Sequence, residues 1–237
     1  MRIRGQGESG LVVELGEGID PEVSAHVREL ARAVAERLAG EVLEVVPTYR
    51  SLLVLHDPLR VARDGLVQRI GALAAEVGAA PAPGPRRVVR IPTCYGGTHG
   101  PDLDEVARLA GLDAAEVVRY HAAPVYLVHF LGFTPGFPYL GGLDPRLATP
   151  RRDEPRARVP AGSVAIGGAQ AGIYPVESPG GWRVLGRTPL RLFDPRRARP
   201  FLLSAGDGLR FVPVDAAAFE SLAAEAEAGR LEAEVER

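Results

Sequence analysis

The sequence predicts an α+β protein with two domains, a small mixed domain at residues 1–84 and a larger, mostly β domain at residues 85–237. In the N-terminal third, short apolar runs alternate with helix-like stretches. A proline-rich break, Ala79-Ala80-Pro81-Ala82-Pro83-Gly84-Pro85, follows and is predicted to be the domain boundary. Beyond it, 11 of the 28 Gly and 9 of the 21 Pro fall between Gly132 and Pro189. Interleaved Val, Ile, Phe and Tyr make that density typical of short strands joined by tight turns.

The small domain is predicted to begin with a strand and a helix. The strand is Leu11-Val12-Val13-Glu14-Leu15. Asp20-Pro21 then supplies an N-cap and a proline at the first helical position, and Gly40 ends the helix. The apolar face of this helix has helical spacing: Val23, Val27, Leu30, Val34 and Leu38.

Two strands at residues 42–46 and 51–55 are predicted next. Asp57-Pro58 repeats the helix-start signal, and Gly78 ends the second helix. A further strand at residues 88–91 would complete the order of a ferredoxin-like domain. That scaffold by itself predicts no chemistry.

Two helices open the larger domain. One starts near Pro101, and the other starts at Asp113 with a capping-box pattern that ends at Glu116. From Val125 to Pro213 only strands and turns are predicted, which favours a closed barrel or a sandwich. The expected closing strands are residues 190–193, 201–203 and 209–212, and the expected last helix is residues 216–237.

Composition excludes several classes of function. A net charge near -2 gives no field that attracts nucleic acid or an anionic membrane, and no apolar run reaches the length of a membrane span. The first residues lack the apolar core of a signal peptide, so a cytoplasmic protein is expected. Every basic residue is arginine, which excludes a Schiff-base lysine and a P-loop lysine. The single cysteine, Cys94, is predicted to be a small buried thiol.

An ordered series of motifs runs through the larger domain. It comprises Cys94-Tyr95-Gly96-Gly97, Gly100-Pro101-Asp102-Leu103, Gly132-Phe133-Thr134-Pro135-Gly136-Phe137-Pro138-Tyr139-Leu140, Pro150-Arg151-Arg152, Val159-Pro160-Ala161-Gly162-Ser163, Gly172-Ile173-Tyr174-Pro175, Ser178-Pro179-Gly180-Gly181-Trp182 and Gly186-Arg187-Thr188-Pro189. This series resembles the B subunit of the bacterial ATP-dependent 5-oxoprolinase. The family is also called allophanate hydrolase subunit 1 or KipI-like, after a sporulation-kinase inhibitor.

The resemblance implies a cyclophilin-like β-barrel and a role in a complex. In this family the protein works with the C subunit, of related barrel fold, and with the A subunit, to open the lactam of 5-oxoproline to glutamate with ATP. Similar paired domains, carboxyltransferase subdomains C and D, occur in urea amidolyase. Two departures affect the expected substrate contacts: Thr98-His99 stands where an acidic and an aromatic residue are expected, and Ala171 where Thr is expected.

The candidate binding residues come from these motifs, and no catalytic residue is assigned. They are Phe133, Pro135, Gly136, Phe137, Tyr139, Arg158, Pro160, Gly162, Ser163, Gln170, Tyr174, Gly180, Gly181 and Trp182. Phe133 and Phe137 fit either a binding surface or the barrel core. Trp182, after two glycines, favours a binding or interface role.

Among the cations of residues 151–158, Arg158 is predicted to bind phosphate or a substrate carboxylate. Arg151 and Arg152 are predicted to lie in a solvated loop paired with Asp153 and Glu154. Gln170 fits two roles, recognition of a lactam through its amide or satisfaction of backbone groups in a turn.

Ser163 is outside a nucleophile elbow, so it either binds a ligand or holds a turn. The histidines have no metal-ligand spacing, so no metal site is expected. ATP is expected to be bound together with a partner subunit, because this chain has no lysine for its phosphates.

Two alternatives stay open at this point. One is a KipI-like inhibitor that docks on a sporulation-type histidine kinase. The other is a carboxyl-transfer module that acts with biotin on urea-like amides, with the biotin on another chain because no M-K-M acceptor sequence is present.

Overall fold

An antiparallel sheet covered on one face by two helices forms the N-terminal unit, Met1–Gly84. The computed structural model describes residues 1–78 and 87–236, so the proline-rich break predicted as the domain boundary lies outside the described residues. The elements are β1 (Arg2–Gln6), β2 (Gly10–Glu14), α1 (Pro21–Arg37), β3 (Glu44–Pro47), β4 (Ser51–Leu55) and α2 (Arg63–Gly78), with strand order β1-β2-β4-β3.

The predicted start of α1 is confirmed. The Asp20 carboxylate accepts hydrogen bonds from the backbone N–H groups of Glu22 and Val23, at 2.7 and 3.2 Å, and Pro21 occupies the first turn. The core lies between the helices and one sheet face, because alternate residues of a strand point the same way. It contains Leu11, Val13, Leu52 and Val54 from the sheet, Leu30, Ala33 and Val34 from α1, and Leu66, Ile70 and Leu73 from α2.

The ferredoxin-like prediction is not confirmed. The fourth strand of this sheet is β1, which pairs with β2 as an N-terminal hairpin, whereas residues 88–91 belong to the other unit. Asp57 was also a wrong helix start. Its carboxylate accepts from the backbone N–H of Leu59 and its carbonyl from Arg60 and Val61, which makes a separate turn before α2 begins at Arg63.

Seven strands close into a barrel in the second unit, Pro85–Arg237. The barrel strands are β5 (Val88–Tyr95), β6 (Tyr126–Leu131), β7 (Pro138–Gly141), β9 (Ser163–Gly167), β10 (Gln170–Ile173), β12 (Arg183–Arg187) and β13 (Gly208–Val214). Their order is β12-β9-β10-β7-β6-β13-β5, and β5 pairs with β12 to complete the circle. A separate ribbon consists of β8 (Arg156–Val159) and β11 (Ser178–Gly180). The predicted closed barrel is thus confirmed.

Helices α3 (Leu103–Ala110) and α4 (Ala114–Ala122) follow β5. The predicted capping box is present, since Asp113 and Glu116 each accept a hydrogen bond from the other's backbone N–H. Apolar side chains of the barrel strands, including Ile91, Val128, Leu140, Ile166 and Phe211, form the core with Leu103 and Val106 of α3.

Two predictions for the end of the chain were wrong. Residues 190–193 and 201–203 are not strands. They form an irregular loop joined by one isolated bridge, Phe193 to Phe201, because proline and clustered arginines interrupt the apolar runs. The last helix, α5 (Ala216–Glu227), ends earlier than predicted, and Gly229, which has φ +71°, follows its C-cap. A short strand, β14 (Val235–Glu236), then pairs with β5. Across residues 1–78 and 87–236, no helix has the length and apolar character that crossing a membrane requires.

Candidate functional site

A cavity of about 340 Å³ opens in the barrel unit beside the β8–β11 ribbon. We call it the aromatic cavity. Five aromatic side chains, two arginines and a glycine-proline backbone line it: Phe133, Phe137, Tyr139, Tyr174, Trp182, Arg151, Arg152, Pro155, Pro179, Gly180 and Gly181. Its size is at the lower end of the range for small-molecule sites. No acidic side chain is among these lining residues, so the cavity favours a neutral or anionic ligand.

The aromatic rings can pack in this cavity because the backbone positions next to them are glycines, which have no Cβ. A Cβ added to Gly180 would lie 2.2 Å from the Tyr174 hydroxyl, and one on Gly172 would lie 2.7 Å from the Phe137 ring. A Cβ on Gly167 would lie 2.9 Å from the Trp182 indole. Real Cβ contacts are longer than these. The glycine density seen in the sequence therefore provides room for buried aromatic rings.

The rings pack mostly edge to face around Phe137, which is 2% exposed. Its ring centroid lies 5.1 Å from that of Tyr139, 5.2 Å from Tyr174 and 5.5 Å from Trp182. This is the arrangement that aromatic quadrupoles prefer. The cluster also buries Val159, Ala165 and Val184, so the inner wall of the cavity is a small hydrophobic core.

Phe133 stands at the mouth of the cavity, with 62% of its surface exposed. Its φ is 66°, a left-handed backbone conformation that costs a side-chain-bearing residue about 1–2 kcal/mol. Phe133 is the central residue of a three-residue turn, in which the Thr134 N–H donates to the Gly132 carbonyl at 2.8 Å. Strained residues of this kind are concentrated at functional sites.

A buried carboxylate braces the arginine side of the cavity. Asp102 is 2% exposed and receives two hydrogen bonds from the Arg156 guanidinium, at 2.7 and 2.8 Å. It also accepts from Arg152, at 3.2 Å, and from the Val184 backbone N–H, at 2.7 Å. We call this group the Asp102 clamp. It joins the start of α3 to β12 and to the cavity wall at Arg152.

The charge of Asp102 is maintained by its partners. Burial alone would raise the pKa of this carboxyl, but the hydrogen bonds from Arg156 and Val184 and the nearby Arg152 charge together hold the pKa below its ordinary value. In turn, the hydrogen bond to Asp102 raises the pKa of Arg156. The clamp is thus ionised at neutral pH, and it holds two arginine side chains in fixed positions.

One cation of the cavity, Arg151, is not paired with a carboxylate among the described residues. The Arg151 guanidinium lies 5.7 Å from the Trp182 ring centroid and forms no ion pair within residues 1–78 and 87–236. A planar guanidinium over an aromatic face is suited to a carboxylate or phosphate ligand. Arg151 therefore supplies the positive charge of the site.

Two phenol groups supply neutral hydrogen-bonding atoms. Burial raises the pKa of Tyr139, although the Arg151 charge opposes the shift. Burial also raises the pKa of Tyr174, against a backbone hydrogen bond from Trp182 and the Arg151 charge. Both hydroxyls are protonated at neutral pH and can donate to a ligand oxygen.

Half of the candidate residues predicted from the sequence meet in this cavity: Phe133, Phe137, Tyr139, Tyr174, Gly180, Gly181 and Trp182. Phe137 is at once core and cavity wall, which joins the two roles that the sequence left open for it. Trp182, for which a binding or interface role was predicted, also belongs to this buried cluster.

The other candidates lie elsewhere. Arg158 has a side chain that is 82% exposed and faces Glu177 at 3.7 Å. Gly136 is buried against Phe193 and Phe201, and Pro135 is exposed. Ser163 is buried on β9, Gln170 is half-buried at the start of β10, and Pro160 accepts the Ser163 backbone N–H in a turn. None of these six lines the aromatic cavity.

Gly162 lines a second cavity of about 350 Å³ with His99, Arg187, Thr188 and Phe219. Its φ is +83°, and a Cβ there would lie 2.2 Å from the Thr188 carbonyl oxygen, so only glycine fits this turn. The His99 ring lies 4.3 Å from that of Phe219 on α5. The second cavity is therefore a cleft between the barrel and its last helix.

The remaining predictions concern Cys94, the histidines and metals. Cys94 is 6% exposed, as predicted, and burial raises the pKa of its thiol. His121, on α4, lies 2.7 Å from the Tyr95 hydroxyl and packs against the rings of Tyr126 and Phe211, where burial lowers its pKa to about 3 and keeps it neutral. In the part of the chain that the structure describes, no three acidic, histidine or cysteine side chains cluster as metal ligands would.

Sequence reasoning misplaced the arginines. Arg152 pairs with Asp102 rather than with Asp153 and Glu154. Arg151 is exposed in a loop, as predicted, but it also lines the cavity and forms no ion pair with Asp153 or Glu154. Asp102 was noticed only within a motif. No local pattern reveals a carboxylate that binds an arginine fifty positions away. Pro155 and Pro179 were also missed as cavity residues.

Comparison with known proteins gives consistent matches. The family described as carboxyltransferase domain, subdomain C and D, matches residues 1–203. A Bacillus subtilis protein named as the B subunit of 5-oxoprolinase is 39% identical over 88% of this chain and 90% of its own length. An Escherichia coli O157:H7 protein of the same name is 44% identical over 87% of this chain and 93% of its own.

Solved structures agree with the fold. The crystal structure of a protein named TTHA0988 is 39% identical, with a TM-score of 0.77, over 90% of this chain. This chain covers only 40% of that protein's length. The K. lactis urea amidolyase, 23% identical over 99% of this chain and 16% of its own, has a TM-score of 0.80 and supports the fold alone.

Proposed function

The chain belongs to the carboxyltransferase domain, subdomain C and D, family, whose relatives at 39–44% identity are named as the B subunit of 5-oxoprolinase, and we propose that it fills that role in a hydrolase complex. The complex opens the lactam of 5-oxo-L-proline to L-glutamate at the expense of ATP, with the A and C subunits as the partners. In this proposal the chain alone is inactive, because the reaction also needs the A and C subunits.

The reaction explains why ATP is needed. Amide resonance makes the lactam carbonyl a poor electrophile, and transfer of the γ-phosphoryl group to the amide oxygen activates it. Water then adds to the carbonyl carbon, the ring C–N bond breaks with protonation of nitrogen, and a second water releases phosphate from the acyl phosphate. Overall, ATP, 5-oxoproline and two waters give ADP, phosphate and glutamate.

The aromatic cavity is the proposed binding site for the lactam. Its flat apolar walls accept a five-membered ring, and its arginine edge accepts a carboxylate. We assign the substrate carboxylate to Arg151 and the lactam carbonyl oxygen to the neutral hydroxyls of Tyr139 and Tyr174. The single observation that supports this most is the Arg151 guanidinium beside Trp182, in a lining without acidic side chains.

ATP is proposed to bind jointly with a partner subunit. The chain contains no lysine, so its own contribution to the phosphates consists of arginine side chains and backbone N–H groups. Robust ATP hydrolysis by this chain alone would contradict that part of the proposal.

The test is reconstitution with candidate A and C subunits, following 5-oxoproline-dependent release of ADP and glutamate. Turnover that needs this chain supports the assignment. Arg151→Gln is expected to raise KM for 5-oxoproline about tenfold, by loss of a charge-assisted hydrogen bond. Arg158→Gln tests the prediction that Arg158 binds substrate, and Arg108→Gln, on the exposed surface of α3, is the matched control.

An assembled, folded complex without turnover would reject the proposal. A normal KM in Arg151→Gln would remove the aromatic cavity as the substrate site, even if the role of the chain in the complex held.

Carboxyl transfer is the second candidate, because the matching family is named for a carboxyltransferase domain. In that case a biotin carried by another chain delivers the carboxyl group to a urea-like amide. Biotin-dependent carboxylation by the reconstituted proteins, without glutamate release, would favour it. The kinase-inhibitor alternative stays a prediction.

A further inference from the structure

A second arginine-rich cavity, of about 540 Å³, lies in the barrel unit away from the residues of the aromatic cavity. We call it the arginine cavity. Three segments line it: Arg87 and Val89 at the start of β5, the loop of residues 190–202, and the C-terminal segment of residues 229–235. The lining includes Arg87, Arg191, Arg197 and Arg199, against one acidic residue, Glu232.

The loop that carries three of these arginines is held in place by its own backbone. Leu202 donates its N–H to the Leu192 carbonyl at 2.9 Å, and Asp194 donates to the Pro200 carbonyl at 2.9 Å. The rings of Phe193 and Phe201 stack with centroids 5.2 Å apart. The arginines are therefore presented by a preorganised loop, which lowers the entropic cost of binding a ligand.

Most of the positive charge on this loop is not neutralised. Asp194 supplies the single carboxylate of the loop. Arg196 donates two hydrogen bonds of 2.9 Å to it, from Nε and Nη2, and Arg196 does not line the cavity. Arg191 and Arg197 lie 3.9 Å from the same carboxylate, too far for hydrogen bonds. Within residues 1–78 and 87–236, Arg199 has no ion pair. Arg87, by contrast, is paired with Asp207 at 2.9 Å.

Apolar side chains make up much of the remaining lining of the cavity. Val89, Leu190, Leu202, Leu231 and Val235 line it. A ligand that carries several negative charges and an apolar part would match this mixed lining. The volume is within the range of pockets that hold drug-sized ligands.

We propose that the arginine cavity is a binding site for a polyphosphate group, carried by a nucleotide or free in solution. Arg191, Arg197 and Arg199 donate to the phosphate oxygens through their guanidinium forks, which match phosphate geometry. Arg87, held by its ion pair with Asp207, adds a further positive charge, and the apolar side chains contact the nucleoside when one is present. The inference rests on this charge distribution and does not require the 5-oxoprolinase assignment.

The test is calorimetric titration of the full chain, at low and at moderate salt, with tripolyphosphate, ATP and AMP in turn. Tripolyphosphate and ATP are expected to bind, AMP about tenfold more weakly, and binding is expected to weaken with salt. Tighter binding of ATP than of tripolyphosphate identifies a nucleotide site, and equal binding identifies a site for the phosphates alone.

The decisive variants are Arg197→Gln and Arg199→Gln. Each is expected to weaken tripolyphosphate binding about tenfold, the effect of one charge-assisted hydrogen bond. Arg60→Gln, an exposed arginine of the N-terminal unit, is the control and is expected to bind normally. The proposal is overturned if the unmodified chain binds none of the three probes at low salt, or if both cavity variants bind as well as the control. No substrate turnover enters this test, so its result is independent of the reconstitution experiment.

Discussion

The two arginine-bearing cavities of the barrel unit are built in opposite ways. In the aromatic cavity, a buried carboxylate, Asp102, holds Arg152 and Arg156, and buried rings fill the space left by glycines. In the arginine cavity, exposed arginines stand on an irregular loop, and their one nearby carboxylate is occupied by Arg196. The inner wall of the first cavity is part of a hydrophobic core, whereas the unpaired arginines of the second stand on an exposed loop.

This difference separates arginines that stabilise the fold from arginines available to a ligand. The density of arginine along the sequence does not distinguish these two kinds of arginine, because residues 151–158 and 191–199 are similarly rich in it. An arginine stabilises the fold when a carboxylate lies within hydrogen-bonding distance of its guanidinium group, and it is available to a ligand when no carboxylate does. Changes to the Asp102 clamp or to the glycines behind the rings should therefore cost stability, whereas changes to Arg197 and Arg199 should cost ligand binding alone.

The largest effect is expected from Asp102→Asn. It leaves two guanidinium groups near the barrel wall without their carboxylate, and loss of one member of a buried pair is strongly destabilising. We expect the free energy of unfolding to fall by about 3 kcal/mol, measured by urea denaturation. Glu177→Gln, which breaks the exposed pair with Arg158, is the control and should change little.

The same variant gives a test by pH. Because the folded-state pKa of Asp102 lies below its ordinary value, its contribution to stability is complete above about pH 4. It is lost as pH falls through the lower, folded-state pKa. The unmodified protein should lose stability more steeply than Asp102→Asn as the pH falls below about 4, and parallel profiles would contradict a stabilising clamp.

An intermediate effect is expected from Gly180→Ala. Its new Cβ would meet the Tyr174 hydroxyl, and overpacking of this kind typically costs about 1–3 kcal/mol. The neighbouring Gly181→Ala is a matched control, since its nearest contact would be an ordinary 3.6 Å. Trp182, the sole tryptophan, lies in the cavity, so its fluorescence should change in the first variant and not in the second. Equal behaviour of the two variants would disprove the packing role of Gly180.

The smallest effect on stability is expected in the arginine cavity. Arg197→Gln and Arg199→Gln should each change the free energy of unfolding by less than about 0.5 kcal/mol, as exposed substitutions usually do. Thermal denaturation at fixed pH measures this. A loss comparable to that of Asp102→Asn would mean that these arginines are structural, and the contrast between the two cavities would fail.

Local signals in the sequence predicted the local structure well. Asp20-Pro21 and Asp113 with Glu116 marked the starts of α1 and α4, because a cap is a contact between residues close in sequence. The short strands between residues 125 and 213 indicated a closed barrel or a sandwich, and the structure has the closed barrel. The errors arose where partners are distant. Residues 88–91 have a strand pattern, but nothing in that pattern reveals which sheet they join.

The candidate site was only partly predicted, because some of its contacts join residues that are distant in the sequence. Aromatic and glycine motifs pointed to Phe133, Tyr174 and Trp182, which do line one cavity. The arginines could not be sorted from sequence, because Asp102 reaches them only through the fold. Asp57-Pro58 was a false helix start, since the same capping chemistry also serves an isolated turn.

The pairing of β5 with β13 has a consequence for the order of folding. These strands lie side by side in parallel over seven residue pairs, from Val88 with Gly208 to Cys94 with Val214, yet they are the first and last strands of the barrel along the chain. Such a contact has a large loop-closure cost and forms slowly. During synthesis the barrel cannot close until residues 208–214 have left the ribosome, whereas the sheet of the N-terminal unit is complete once β4 has emerged. The nascent barrel strands therefore spend the longest time with unpaired edges, and chaperone protection would matter most for this half of the chain.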